Sequence, residues 1–175
     1  MTGSRRSQGT GLGPWEFAYL GESTVIEQGV LVFHPETITI ADNVYIGHQT
    51  ILKGYHKNKM SIGAGTWIGQ QCFLHSAGGI QIGPRVGIGP GVKIFTSVHT
   101  PTPMPAPIIE ADLEFAPVCI GEGCDIGIGA IVMPGVTVGR GVQIGAGAVV
   151  TRDIEDGQVV AGVPARLLKT RKNGR

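Results

Sequence analysis

The side chains able to do chemistry are few, and their spacing narrows what that chemistry can be. There are five histidines, His34, His48, His56, His75 and His99, separated by 14, 8, 19 and 24 residues. No two of them stand three to five residues apart, so the sequence offers no paired ligands for zinc, and no metal is expected. A histidine is the side chain best matched to taking a proton from a hydroxyl or amine near neutral pH. His99 is the best placed, because it directly precedes the stretch TPTPMPAPIIEADLEFAP, whose prolines at 101, 103, 105 and 107 mark a stiff projecting loop. His75 is the second candidate, as a residue lining the neighbouring side. The three cysteines, Cys72, Cys119 and Cys124, form no CxxC pair and are odd in number, which reads as reduced thiols in a cytoplasmic protein. Near the C-terminus Arg166, Lys169, Arg171 and Lys172 form a basic cluster, either a solvated tail or a phosphate contact.

These residues must be held by something, and glycine indicates what. The chain has 29 glycines in 175 residues, with 42% hydrophobic, 15% charged and 6% aromatic residues. Enough aliphatic material remains for a core, so a disordered glycine-rich linker is excluded. Every sixth position from Ile120 is aliphatic: Ile126, Val132, Val138, Ile144 and Val150. The frame extends upstream as the triplets Ile82/Ile88/Ile94, Ile62/Ile68/Leu74 and Ile40/Ile46/Leu52, with Ile26 and Val32 before them. A period of six fits neither a helix nor an amphipathic strand. It fits a solenoid with three short sides per turn, its anchors stacked in a narrow bore. The glycine after each anchor is expected to serve corner dihedrals that other residues avoid. The residue four after each anchor faces inward and must be small, which makes Cys72 and Cys124 core residues.

Departures from the frame locate the loops. Two residues are extra between Val32 and Ile40 and between Leu74 and Ile82, four between Leu52 and Ile62, and the frame is lost between Ile94 and Ile120. The expected fold is all-β, a parallel β-helix of about five to six coils with a loop at 100–117. A C-terminal cap is drawn from QVVAGVPARLLK. One domain is expected over 15–169, between flexible tails at 1–14 and 170–175. A formal net charge of +1 gives no footprint for nucleic acid, and no apolar run is long enough for membrane insertion. Glycine strings such as Gly87-Ile-Gly89-Pro-Gly91 lack the βαβ context of a dinucleotide loop and follow from the six-residue register.

The stretches IQIGPRVGIGPGVKIFTSVHTP, PVCIGEGCDIGIGAIVMPGVTVGRGVQIGAGAVVTRDI and VVAGVPARLLK resemble the hexapeptide-repeat acyltransferases, above all the sugar O-acetyltransferases of the galactoside and maltose group. The resemblance covers about Ile26 to Lys169. It implies a left-handed winding, which the period cannot specify. It implies direct transfer of an acetyl group from acetyl-CoA to a hydroxyl of a sugar acceptor, with His99 as general base. An amino acceptor is the alternative, and a non-catalytic scaffold the remaining one. The same resemblance puts Ile128 and Ala146 along the pantetheine arm, Thr151 and Arg152 near the pyrophosphate, and Arg166 and Lys169 near the nucleotide phosphates. Gln71 falls beside the family's acceptor-binding position, His75 joins it as a substrate candidate from its place after anchor Leu74, and the implied assembly is a homotrimer with sites between subunits. Asp125 stands where the family carries a tryptophan.

Overall fold

A computed structural model describes residues 16–171; the expected tail at 1–14 and residues 172–175 lie outside the described residues. The chain winds as a left-handed parallel β-helix of hexapeptide repeats, with strands of only two or three residues on three faces. The first face holds Tyr19–Leu20, Ile38–Ile40, Met60–Ile62, Ile80–Ile82, Val118–Ile120 and Thr137–Val138. The second holds Val25–Ile26, Tyr45–Ile46, Trp67–Ile68, Gly87–Ile88, Asp125–Ile126 and Gln143–Ile144. The third holds Leu31–Phe33, Ile51–Lys53, Phe73–His75, Lys93–Ile94, Ile131–Val132 and Val149–Val150. Anchors pair in register from coil to coil, as in Ile46↔Ile68 and Ile126↔Ile144.

The bore is the core. Every anchor from Val32 to Val150 is at most 2% exposed, and Ile26, in the first coil, is only partly buried. Each such aliphatic side chain contributes about 1.5–3 kcal/mol on leaving water, so stability is spread along the axis rather than concentrated. The inward position four after an anchor is filled by small residues as expected: Cys124, Ala130, Val136, Val142 and Ala148 are all buried. Where that residue is polar, it bonds a carbonyl of the coil below. The Thr50 and Thr66 hydroxyls donate to Gly69 and Gly83 at 2.8 and 3.1 Å, and the Cys124 thiol donates to Gly139 at 2.9 Å.

The glycine directly after an anchor has a different cause from the one expected. Left-handed backbone occurs two residues further on, at Gly129, Gly135, Gly141 and Gly147 among others. The glycine beside the anchor is required by close approach. A Cβ at Gly127 would lie 2.5 Å from the Ala146 nitrogen, and one at Gly121 2.7 Å from the Gly139 carbonyl carbon. Adjacent coils therefore touch through bare backbone at these corners.

All four insertions leave the prism at the corner between the third face and the first. The long one begins as a two-stranded antiparallel ribbon, Ser97–His99 against Leu113–Phe115, with His99 opposite Leu113. The prolines occupy the tip, so the loop has a laddered stem that the lost hexad pattern did not disclose. The C-terminal cap is an antiparallel hairpin, Gln158–Ala161 with Arg166–Thr170, laid along the second face. It runs past the expected domain end at 169: Thr170 pairs with Gln158, and Arg171 donates from Nη1 to the Gly141 carbonyl at 2.7 Å.

Candidate active site

His99 is half-buried at the end of the ribbon's first strand. Its Nδ1 lies 3.1 Å from the Ala111 carbonyl oxygen, across the ribbon. A carbonyl only accepts, so Nδ1 carries the proton and Nε2 keeps its lone pair. The ribbon thereby fixes the orientation of the ring and leaves Nε2 able to accept a proton. The Thr100 amide donates to Asp112 at 2.9 Å and holds the chain leaving His99 against the same segment. Sequence pattern gave no signal for Ala111, because its contribution is a main-chain oxygen.

His75 sits one coil above, on the third face. Its ring lies parallel to Phe73 with centroids 5.9 Å apart and edge-on to Phe95 at 6.5 Å. Burial in this aromatic cluster, helped by the nearby Lys53 charge, holds its pKa below the usual histidine value. Gln71 is exposed at the opposite edge of that face, in the turn after Ile68, with φ 57°. Its Nε2 donates to Gln49 Oε1 at 3.0 Å, one coil up.

Ile128 and Ala146 stack at the corner between the second and third faces, 58% exposed in the case of Ile128. Both follow an anchor-glycine pair, and their strands are in direct register. The Ile128 carbonyl accepts from Gly147 at 2.8 Å. Among the described residues, the amide N–H of neither Ile128 nor Ala146 has an acceptor within the chain. The corner is therefore a short ladder of unspent main-chain donors, spaced by the distance between strands, about 4.8 Å.

The cap extends this ladder. Register shifts between Val159 and Val160, so Leu168 is an extra residue in the second hairpin strand. Without that bulge Arg166 and Lys169 would point to opposite sides. With it they pair with Ala161 and Val159 and share the outer surface. Thr151 and Arg152 lie at the corner between the third face and the first, at the foot of the prism and on the edge that carries His99. They meet Arg166 in a pocket of about 170 Å³ between the last coil and the hairpin, which Asp153 and Gln158 also line. The structure thus gathers Thr151, Arg152 and Arg166, and sets Lys169 on the adjoining face. It does not bring His99 to Ile128 and Ala146, which occupy opposite edges of the third face.

Among the described residues, no group of three His, Cys, Asp or Glu side chains is placed to hold a metal ion.

Fold and repeat together define the class, a β-helix carrying over residues 117–152 the repeat described as bacterial transferase hexapeptide (six repeats). This bears out the resemblance to hexapeptide-repeat acyltransferases. Nodulation protein L of Rhizobium meliloti (strain 1021) is 47% identical over 109 residues, 62% of this chain and 58% of that protein. The chain thus spans little more than half of that relative's length. A variant of AntD, an N-acyltransferase from Bacillus cereus in complex with dTDP and coenzyme A, superposes with a TM-score of 0.80 at 25% identity, covering 89% of this chain and 85% of that one. A maltose O-acetyltransferase from Clostridium difficile 630 gives 0.66 at 28% identity, over 90% and 71% of the two chains.

Proposed function

We propose that the protein is an acetyltransferase that moves an acetyl group from acetyl-CoA to a hydroxyl of a sugar or sugar-containing metabolite. The observation that carries this reading is the His99 ring, fixed through Nδ1 by Ala111 with Nε2 left free as a base. Acetyl-CoA, as co-substrate, supplies an activated thioester carbonyl. Nε2 takes the proton of the acceptor hydroxyl as its oxygen attacks that carbonyl, and the thiolate of CoA leaves. The donor arm fits the unspent N–H groups of Ile128 and Ala146, whose spacing suits an extended amide chain. Arg166 and Lys169 lie on the hairpin below, and Thr151 and Arg152 reach the same end of the prism from the far edge of the third face, where cations and a hydroxyl would meet phosphates.

An amino acceptor is the second reading, favoured by the superposition on an N-acyltransferase. An amine can lose its proton after attack and depends less on His99. The O-acetyl reading accounts for the oriented base.

The split between His99 and the donor ladder supports a homotrimer with each site between neighbouring subunits. So does the loop tip, where Met104 is 93%, Ile108 62% and Ile109 59% exposed, an apolar surface that a second chain would cover. In this arrangement the loop at 100–117 folds over the groove between chains, with Gln71 and His75 facing the acceptor. Three unpaired thiols support a reducing, cytoplasmic setting. No helix among the described residues is long and apolar enough to cross a membrane.

The test is thiol release from acetyl-CoA across sugars, amino sugars and nucleotide sugars, with CoA affinity measured by isothermal titration. His99→Ala is expected to lower kcat by about 10² to 10⁴ while CoA affinity is kept. His75→Ala, in the aromatic cluster, costs much less. A His99→Ala enzyme retaining more than about a tenth of the turnover contradicts the base assignment.

A further inference from the structure

The outer column of the second face runs Val25, Tyr45, Trp67, Gly87, Asp125 and Gln143, one residue per coil in direct register. Half-buried Tyr45 and exposed Trp67 form an aromatic step, their rings 5° from parallel with centroids 5.6 Å apart. Trp67 is 42% exposed although its upper face is covered by Tyr45. Directly below it the column has no side chain. A Cβ placed on Gly87 would meet only Asp125 Oδ1 at 3.3 Å and the Cys124 carbonyl at 4.0 Å, so the indole does not fold down into the gap. Gly87 is not needed for its backbone: its φ is not positive and the nearest group is the end of a flexible side chain. What its missing side chain provides is a notch one coil high.

We propose that this notch binds a pyranose ring of the acceptor, with one ring face on Trp67 and its hydroxyl or ammonium groups donating to Asp125. The spacing fits. A guest ring in the Gly87 register would repeat, one step down, the separation at which Tyr45 and Trp67 already stack. The electron-rich indole face suits the slightly positive C–H face of a sugar. The floor of the notch is a carboxylate, an acceptor that matches sugar hydroxyls and pairs with the ammonium of an amino sugar. It repels phosphate, which directs the site away from the donor nucleotide. Gln143 Nε2 lies 3.5 Å from Asp125 Oδ2 and supports the carboxylate from below. The notch also adjoins the corner that leads down to Ile128, so a ring seated there lies on the donor's side of the prism.

Naming the ring an acceptor rests on the acetyltransferase reading, whereas binding itself does not. Saturation-transfer NMR without donor, using methyl β-glucopyranoside, glucosamine and uridine, tests the notch directly. Both sugars should receive saturation from the wild-type protein. Gly87→Leu, which fills the notch at a position that tolerates a side chain, and Trp67→Ala should each reduce it at least tenfold. Asp125→Asn should weaken glucosamine more than the neutral glycoside. Equal transfer in wild type and Gly87→Leu overturns the proposal. So does uridine displacing the sugars, or a change of assembly mass by light scattering in Gly87→Leu, which would make the face a contact between copies. Sugar binding lost in Gly87→Leu, in a protein that releases no thiol from acetyl-CoA, would leave the notch standing and remove the acetyltransferase reading. Turnover with an acceptor KM unmoved by Gly87→Leu would do the reverse.

Discussion

The coils from Val118 to Val150 and those from Tyr19 to Ile94 share one cross-section and use it differently. In the lower set six hexads follow one another without insertion, and the left-handed turn positions there, from Gly123 to Gly147, are all glycine. In the upper set the equivalent positions include Asn43, Gln49, Gln71 and Arg85, each held at φ between 55° and 59°. Such residues cost about 1–2 kcal/mol more than glycine in that conformation, yet each presents a polar side chain to solvent. The upper coils also release every insertion, all at one corner. The lower set is a regular rod that presents bare main chain at its corners, and the upper set carries the insertions and the polar turn residues; under the proposed function the rod suits the donor, and the upper half, together with Asp125 of the rod, suits the acceptor. The family match, confined to 117–152, falls on the regular half alone.

The sharpest break in that comparison is steric. Gly127→Ala puts a methyl 2.5 Å from the next coil's backbone and should cost about 3 kcal/mol or more in urea denaturation. Gly129→Ala, two residues away with φ 68° and nothing within 4 Å of an added Cβ, should cost about 1–2 kcal/mol. Equal losses at the two sites would mean that the corner glycines serve conformation and not contact.

The next effect concerns the donor end. The double change Arg166→Ala with Lys169→Ala should raise the KM for acetyl-CoA about tenfold or more, since well-formed charge-assisted hydrogen bonds contribute roughly 1.5–3 kcal/mol each. The turnover at saturating donor should stay near that of the parent, because neither residue approaches His99. An unchanged KM would assign both cations to the cap alone.

The smallest effect belongs to the upper half. His75 has a lowered pKa in the fold, so the unfolded chain binds its proton more readily. Its contribution to stability is present above the unfolded histidine's pKa of about 6.5 and is lost as pH falls through the lower folded value. Melting temperatures recorded from neutral to acidic pH should therefore fall less steeply in His75→Phe than in the parent. Parallel curves would show that the ring is solvated despite its place beside Phe73 and Phe95.

Much of this was legible in the residues. The anchors and their small inward partners are dictated by the volume of the bore, so Ile, Val, Cys and Ala at a period of six disclose the fold directly. The place of His99 at the root of the loop was legible because the frame breaks immediately after it. The role of the glycine beside each anchor was not, since a bare residue looks the same whether dihedral or contact demands it. Ala111 acts through a carbonyl, and the side-chain alphabet does not encode that. The hairpin bulge that aligns Arg166 with Lys169 depends on pairing across a turn. The Trp67 notch depends on residues 20 positions apart in sequence, Trp67 and Gly87, meeting in register.

His99 and the corner at Ile128 and Ala146 lie at opposite edges of one face, so under the proposed function they meet only across two chains. This is tested by mixing two inactive variants, His99→Ala, which lacks the base, and Ala146→Trp, which blocks the donor corner. In randomly mixed trimers about a quarter of the sites would combine an intact His99 from one subunit with an intact donor corner from its neighbour. Co-refolded 1:1 mixtures should recover about that fraction of the parent's thiol release. Folded mixed assemblies as inactive as either variant alone would contradict it.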